Sequence, residues 1–216
     1  FFRDVFAANP EAVVLTAVMI LWVNFATDGP PAIALAADEG ADGVMQRAPR
    51  APTESIIDRK MIGMIAGTGP LAALIFLPTF FLLVDTSFVL AQSTLFTGLA
   101  MFEIVMFQIV RREYGLSFRS NAYLSLAIAT AFIAQLAVLY TPAAEWFEVV
   151  PIGVTEWGLI GLALVVFWVV ITGYQRLLIR RFGQRAGEPT DGVFRRLLTR
   201  YTDRSHGQEP PQDPLD

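Results

Sequence analysis

The sequence predicts an all-α polytopic membrane protein, a bundle of five transmembrane helices, on three observations. Hydrophobic residues make up 54% of the 216-residue chain and charged residues only 17%. The mean hydropathy is positive, at +0.51. The apolar residues come in runs of roughly 20, the length that crosses a hydrocarbon core of about 30 Å, and not in alternating or amphipathic patterns.

The five spans follow one another with short polar breaks. Asn9 suits a helix N-cap and Pro10 a first helical position, so the first span is expected to begin there. Thr86 and Ser87 form a tight outer turn between the second and third spans. The predicted spans are 10–36, 60–84, 88–110, 121–141 and 155–178.

Small and amide side chains within the spans predict helix packing. Gly63 and Gly67 form a G-x-x-x-G pair in the second span, which permits a close crossing with another helix, expected to lie outside this chain. Gln92, Gln108 and Gln135 are interpreted as groups that hydrogen-bond between helices or at the interface rather than as ligands.

Lysine and arginine predict the orientation. Fifteen of the sixteen basic residues lie between spans one and two, between spans three and four, or after span five. Because cytoplasmic loops carry this excess, we expect an outside N-terminus, a cytoplasmic C-terminus and a multi-pass position in the cell membrane. The lipid bilayer is the expected surrounding, and no nucleic acid is expected as a partner. Residues 1–178 are predicted to form the membrane domain and 179–216 a polar cytoplasmic tail, and Phe1 is interpreted as a cut through a longer protein or as the mature end of a split one.

Two acidic residues, Asp28 and Glu103, lie well inside the first and third spans. A carboxylate at the centre of a membrane helix costs about 2.5–3.5 kcal/mol on insertion scales, so such groups face the bundle interior and serve ions or protons. The two spans run in the same direction, and both acids are expected roughly 10–12 Å from the cytoplasmic boundary. Equal depth is necessary, though not sufficient, for one shared site.

Asp28 belongs to a polar face next to a predicted helix break. Asn24, Thr27 and Asp28 are spaced i, i+3, i+4 and share one face. Pro30 and Pro31 follow, and their missing N–H groups are expected to leave carbonyls near 25–27 without helical partners. Broken membrane helices of this kind bind ions through loose carbonyls and side-chain oxygens.

The ligand chemistry in these spans is entirely oxygen. The chain has no cysteine, and the candidate ligands are Asn24, Thr27, Asp28 and Glu103. Hard cations such as calcium take six to eight oxygens. The alternative interpretation is a polar group of side chains that holds helices together by hydrogen bonds.

Two motifs resemble P-type cation-transporting ATPases of the calcium-pump branch. The run 21–35, LWVNFATDGPPAIAL, is similar to that family's sixth membrane helix, L-W-x-N-x-x-T-D-G-x-P-A-x-A-L. Downstream, the run 42–57 resembles the family's cytoplasmic loop, D-x-x-M-x-R-P-P-R-x-x-x-E-x-I. The sequence departs from the pattern at Pro30, where the family usually has Leu, and at Ala48, where it usually has Pro. The resemblance covers 1–178, as helices six to ten of a ten-helix domain.

The resemblance implies a calcium site that this chain supplies only in part. Asn24, Thr27, Asp28 and Glu103 would be ligands for calcium or a similar hard cation, and the loop 37–59 would contact the phosphorylation domain. The D-K-T-G-T phosphorylation motif does not occur in the sequence. ATP and magnesium are therefore expected to bind only in the missing catalytic half, which is the expected partner together with helices one to five. By itself the chain is not expected to hydrolyse ATP.

Two other functions remain open from the sequence. One is a proton-coupled small transporter or channel that uses Asp28 and Glu103 as a relay. The other is a non-enzymatic membrane protein, a remnant of a pump or an accessory protein.

Overall fold

The computed structural model describes residues 13–38, 59–113, 116 and 120–182, and in these ranges the chain is helical with no strand. Five helices are long and apolar enough to cross a membrane, which confirms the predicted fold class. A short helix, α5, lies between the last two spans. The helices are α1 (Ala17–Ala37), α2 (Arg59–Leu83), α3 (Phe88–Glu113), α4 (Ala122–Tyr140), α5 (Ala144–Phe147) and α6 (Val154–Phe182).

Helix α1 begins at Ala17, later than predicted. Residues 13–16 are not helical, and Thr16 is the N-cap, its hydroxyl accepting a hydrogen bond from the Met19 N–H at 3.3 Å. The exposed Val13 carbonyl is bonded by the Gln92 amide of α3 at 2.8 Å, so its hydrogen bond comes from a neighbouring helix. The prediction that the helix begins near residue 10 is wrong for residues 13–16, because these two side chains satisfy backbone groups there without a helix. Asn9 and Pro10 lie outside the described residues.

The predicted break in α1 takes the form of a change in helix type. A regular turn over Ala17–Trp22 passes into a π-helical turn over Val23–Asp28, then back to an α-helix over Gly29–Ala34 and a 3₁₀ turn over Leu35–Ala37. Neither Pro30 nor Pro31 has an N–H, so the Ala26 carbonyl cannot accept an i+4 or an i+5 backbone bond. The helix therefore forms a wider π-helical turn at the polar face and does not unwind.

Helices α2 and α3 form an antiparallel hairpin. The predicted outer turn is present, with the Thr86 and Ser87 N–H groups bonded to the Leu83 carbonyl at 2.9 and 3.0 Å. Ser87 then caps α3 by accepting from the Leu90 N–H at 3.3 Å.

The G-x-x-x-G pair of α2 packs against α6 of the same chain. The Tyr174 hydroxyl donates to the Gly63 carbonyl at 2.8 Å. A Cβ at Gly67 would overlap the Tyr174 ring, and one at Gly63 would lie 3.0 Å from Leu178. The expectation that this pair serves a helix outside the chain is therefore wrong for the described structure, because α6 folds back along α2.

Helix α3 lies at the centre of the bundle. Half of the residues in its span are buried, against 17–28% in the other four spans. It contributes Phe96 and Ala100 to a core shared with α1 and α4, and Ala91 and Leu95 to a second core shared with α2 and α6. The helix that carries Glu103 is therefore the one that the fold holds most firmly.

Candidate cation site

The structure brings Thr27 of α1 and Glu103 of α3 into direct contact. The Thr27 side chain is fully buried, and its hydroxyl oxygen lies 2.8 Å from Glu103 Oε2. The same hydroxyl lies 2.6 Å from the Val23 carbonyl of its own helix. A hydroxyl has one proton, so it donates to one of these acceptors at a time. Oxygen lone pairs therefore remain free at this point between the two helices.

Asp28 lies beside this contact, on the next residue of the widened turn. Its side chain is partly buried. Thr27, the residue before it, contacts Glu103 of α3 at 2.8 Å, so each of the two helices has an acidic residue at this level of the bundle. A cation bound here would offset the negative charge of both carboxylates.

Asn24 lies on the side of α1 that the described part of the chain leaves open. Its amide donates to the Ile20 carbonyl at 2.8 Å, four residues earlier, and the side chain is exposed. Leu21 and Phe25 flank it and are 66% and 76% exposed. Its amide oxygen has no described hydrogen bond to α3, unlike Thr27.

The described residues supply only part of a coordination shell. Within residues 13–38, 59–113 and 120–182, no group of three acidic, histidine or cysteine side chains could hold a metal ion. The polar face instead offers two carboxylates, a hydroxyl and an amide. Calcium takes six to eight oxygens, so these four side chains would leave the shell incomplete.

A buried amide, Gln135 of α4, supports α1 at Trp22, five residues before Thr27. It is fully buried, accepts from the Trp22 indole N–H at 2.9 Å, and donates to the Thr97 hydroxyl of α3 at 3.3 Å. The interpretation as an interhelical hydrogen-bonding group is confirmed for Gln135, while Gln92 bonds the non-helical Val13 that precedes α1. The Gln108 amide nitrogen is buried with no partner among the described residues.

An ion pair joins the other end of α1 to α3. The Arg111 guanidinium, 2% exposed, donates from Nε to Asp38 Oδ2 at 2.9 Å and from Nη2 to Asp38 Oδ1 at 2.8 Å. Asn121, at the start of α4, donates to Asp38 Oδ1 and to the Ala34 carbonyl, both at 2.8 Å. The hydrogen bond from Arg111, helped by the one from Asn121, lowers the pKa of the Asp38 carboxyl against the opposing effect of burial. The pair is therefore intact at neutral pH and is lost only in acid.

Comparison with known families decides the identity of this bundle. The family model described as "Cation transporting ATPase, C-terminus" matches residues 12–177. The chain belongs to this family. The match covers all five spans, so the resemblance predicted from 21–35 and 42–57 is confirmed for the membrane region as a whole.

Curated relatives of this cation-ATPase C-terminal domain carry calcium in their names. A calcium-transporting ATPase of Bacillus subtilis is 30% identical over 153 residues, 68% of this chain and 17% of that protein. Calcium-transporting ATPase 1 of Schizosaccharomyces pombe is 28% identical over 149 residues, 66% of this chain and 17% of that protein. A plasma membrane-type calcium-transporting ATPase 4 of Arabidopsis thaliana is 49% identical over 53 residues, 24% of this chain and 5% of that protein. The chain thus spans about a sixth of the length of the first two.

The sequence of this ATPase domain predicted the residues of the polar face but not the contacts that hold α1 in place. Of the predicted ligands, the fold brings Thr27, Asp28 and Glu103 to one place and leaves Asn24 on the open side. Arg111 was predicted only as a charge in a cytoplasmic loop. The one available hint was that Arg111 directly follows an apolar span, and sequence spacing could not reveal a partner 73 residues away.

Proposed function

We propose that the chain forms the C-terminal part of the membrane domain of an ATP-driven calcium pump in the cell membrane. In this proposal Asn24, Thr27, Asp28 and Glu103 supply oxygens to the transported ion. The supporting observation is the contact between the Thr27 hydroxyl and Glu103 at 2.8 Å, which joins two spans at the point where Asp28 also lies. Polar oxygens concentrated at this depth of a bilayer serve an ion.

The rest of the coordination shell comes from helices outside this chain. Asn24 faces the open side of α1, where Leu21 and Phe25 are also uncovered. Helices packed there would add the remaining oxygens that calcium requires and would cover the apolar face. We assign this part to the N-terminal half of the pump, the partner implied by the family resemblance.

The energy source also lies outside this chain in the proposal. ATP and magnesium act in the catalytic domains, and the loop that follows α1 passes their motion to the site. Most of that loop, residues 39–58, lies outside the described residues. The proton-coupled transporter is the weaker alternative, because the family model covers all five spans. The other alternative, a non-enzymatic remnant, predicts that no ATP-driven ion transport will be measured.

ATP-driven ion uptake tests this function. The full-length protein would be expressed in a host lacking its own calcium pumps, and inside-out vesicles would be loaded with radioactive calcium with and without Mg-ATP. We expect ATP-dependent accumulation that a calcium ionophore releases. Parallel assays with manganese, with sodium and with a pH-sensitive dye show whether the protein transports one of these metal ions or protons in place of calcium. Uptake of none of these ions would favour the remnant, and a proton flux without calcium would favour the transporter.

A further inference from the structure

The C-terminal end of α1 is held against α3 and the start of α4 around one buried ion pair. Arg111 of α3 bonds Asp38 with both Nε and Nη2, and Nη2 also donates to the Ser120 hydroxyl at 2.8 Å. Asn121 caps α4 by accepting from the Leu124 N–H at 2.9 Å while its amide nitrogen holds Asp38 and the Ala34 carbonyl. We name Arg111, Asp38 and Asn121 the arginine clamp.

Because the arginine clamp is buried, we expect it to contribute little to the net free energy of unfolding. Arg111 is 2% exposed, and its Nη1 has no acceptor among the described residues. Removing a guanidinium and a carboxylate from water costs about as much free energy as their attraction returns, so buried ion pairs are weak contributors to net stability. What the bidentate pair does supply is a fixed geometry between two helices.

Helix α1 needs such a fixed geometry on both sides of its polar face. The segment Gly29–Ala34 has six residues between a π-helical and a 3₁₀ turn, and a helix this short is not stable by itself. Only 17% of the α1 span is buried. Among the described residues, two polar contacts with α3 flank this segment: the Thr27–Glu103 hydrogen bond before it and the Asp38–Arg111 pair after it, eight residues or about 12 Å apart along α3.

We propose that the arginine clamp is a positioning device that sets cation affinity, with Arg111 fixing where Asp28 and Thr27 stand relative to Glu103. The inference rests on the proposed pump function. Arg111 does not touch the ion. It fixes the position of the end of α1 relative to α3, and Asn121 joins the start of α4 to the same point. The oxygens of Thr27 and Asp28 on the π-helical turn are thereby held near Glu103.

The test compares variants of the complete pump by calcium titration of phosphorylation from ATP, with thermal unfolding measured in parallel. Arg111→Met removes the pair. Arg111→Lys keeps the charge but loses the bidentate geometry. Asn121→Asp keeps the α4 cap, because aspartate caps as well as asparagine, but replaces both donors to α1 with an acceptor. Arg112→Met is the matched control, since Arg112 is the exposed neighbour on the same turn.

We expect half-saturating calcium to rise roughly fivefold for Arg111→Met, the lower end of typical coupling between distinct sites. Arg111→Lys and Asn121→Asp should shift it in the same direction, with the maximal phosphoenzyme level retained and Arg112→Met unchanged. If Arg111→Met does not fold, the other two variants decide.

A lower unfolding temperature with unshifted calcium dependence in Arg111→Lys and Asn121→Asp would overturn the inference, because it would show a purely structural role. An equal shift in Arg112→Met would overturn it too, since surface charge would then be the cause. Wild-type phosphorylation that ignores calcium would overturn the proposed function itself, a result distinct from either.

Discussion

The Thr27 hydroxyl is the group that joins the two helices carrying the intramembrane carboxylates. It lies 2.6 Å from the Val23 carbonyl and 2.8 Å from Glu103, and it is fully buried. The π-helical turn brings this about, because it widens α1 at the residue where the hydroxyl must reach α3. One side chain therefore connects the local distortion of α1 with the geometry between helices.

Removing that hydroxyl should weaken calcium binding without unfolding the protein. Thr27→Val is nearly isosteric but loses the hydrogen bond to the Glu103 carboxyl group, worth roughly 1.5 kcal/mol or about tenfold in affinity. Thr27→Ser should retain most of the affinity. Glu103→Gln should also raise half-saturating calcium while turnover is retained. The measurement is a calcium titration of phosphorylation by the full-length protein.

Thr94→Val is the control for this series. Thr94 is a fully buried threonine of α3 whose hydroxyl donates to the Leu90 carbonyl of its own helix at 2.8 Å. Its loss should leave the calcium titration unchanged. If Thr27→Val and Thr94→Val behave alike, the Thr27–Glu103 contact is helix packing and has no part in ion binding.

The side chains on the polar face could be predicted because their positions follow from local rules. Spacing of i, i+3, i+4 counted from Asn24 predicted that Thr27 and Asp28 share its face, and counting from the span ends put Glu103 at a similar depth. Arg111 could not be predicted as a buried residue, because its burial depends on Asp38 and Asn121, which reach it only in the tertiary fold.

The pairing of α2 with α6 depends on two glycines. The Tyr174 ring lies over Gly67, and its hydroxyl bonds the Gly63 carbonyl at 2.8 Å. The ring can lie this close only because Gly67 has no Cβ.

Gly67→Ala should therefore destabilise the α2–α6 pair. The new methyl would displace the Tyr174 ring and break its hydrogen bond, at a cost of about 1–3 kcal/mol for overpacking. Thermal unfolding of the full-length protein in detergent measures this. Gly69→Ala on the same helix is the control, because a Cβ there meets nothing within 4 Å. An unchanged unfolding temperature for Gly67→Ala would refute the close packing.

Helix ends were harder to predict than helix identity. Hydropathy over about 20 residues identified all five spans, since each must cross the same hydrocarbon thickness. The start of α1 was misplaced because the Thr16 hydroxyl and the Gln92 amide bond backbone groups that would otherwise need helical partners. The contact of Gln92 depends on the tertiary fold and cannot be predicted from the neighbouring sequence. The prolines predicted an interruption but could not say that it would be a π-helical turn.

The complete bundle combines a firm centre with an open flank. Helix α3, with half of its span buried, holds Glu103, while α1, with 17% buried, holds Asn24 on a face that other helices can cover. This arrangement suits a domain that spans about a sixth of its longer relatives and supplies part of a site. The basic ends of α3 and α6 lie on one side of the bundle, and the positive-inside rule predicts that this side is cytoplasmic.

Equilibrium binding of radioactive calcium to the purified full-length protein, wild type against Asp28→Asn, tests the site most directly. Asp85→Asn is the control, because Asp85 is exposed in the outer turn between α2 and α3. We expect Asp28→Asn to lose saturable calcium binding while Asp85→Asn keeps the wild-type isotherm. Equal binding by wild type and Asp28→Asn would contradict the assignment of this polar face to the transported ion.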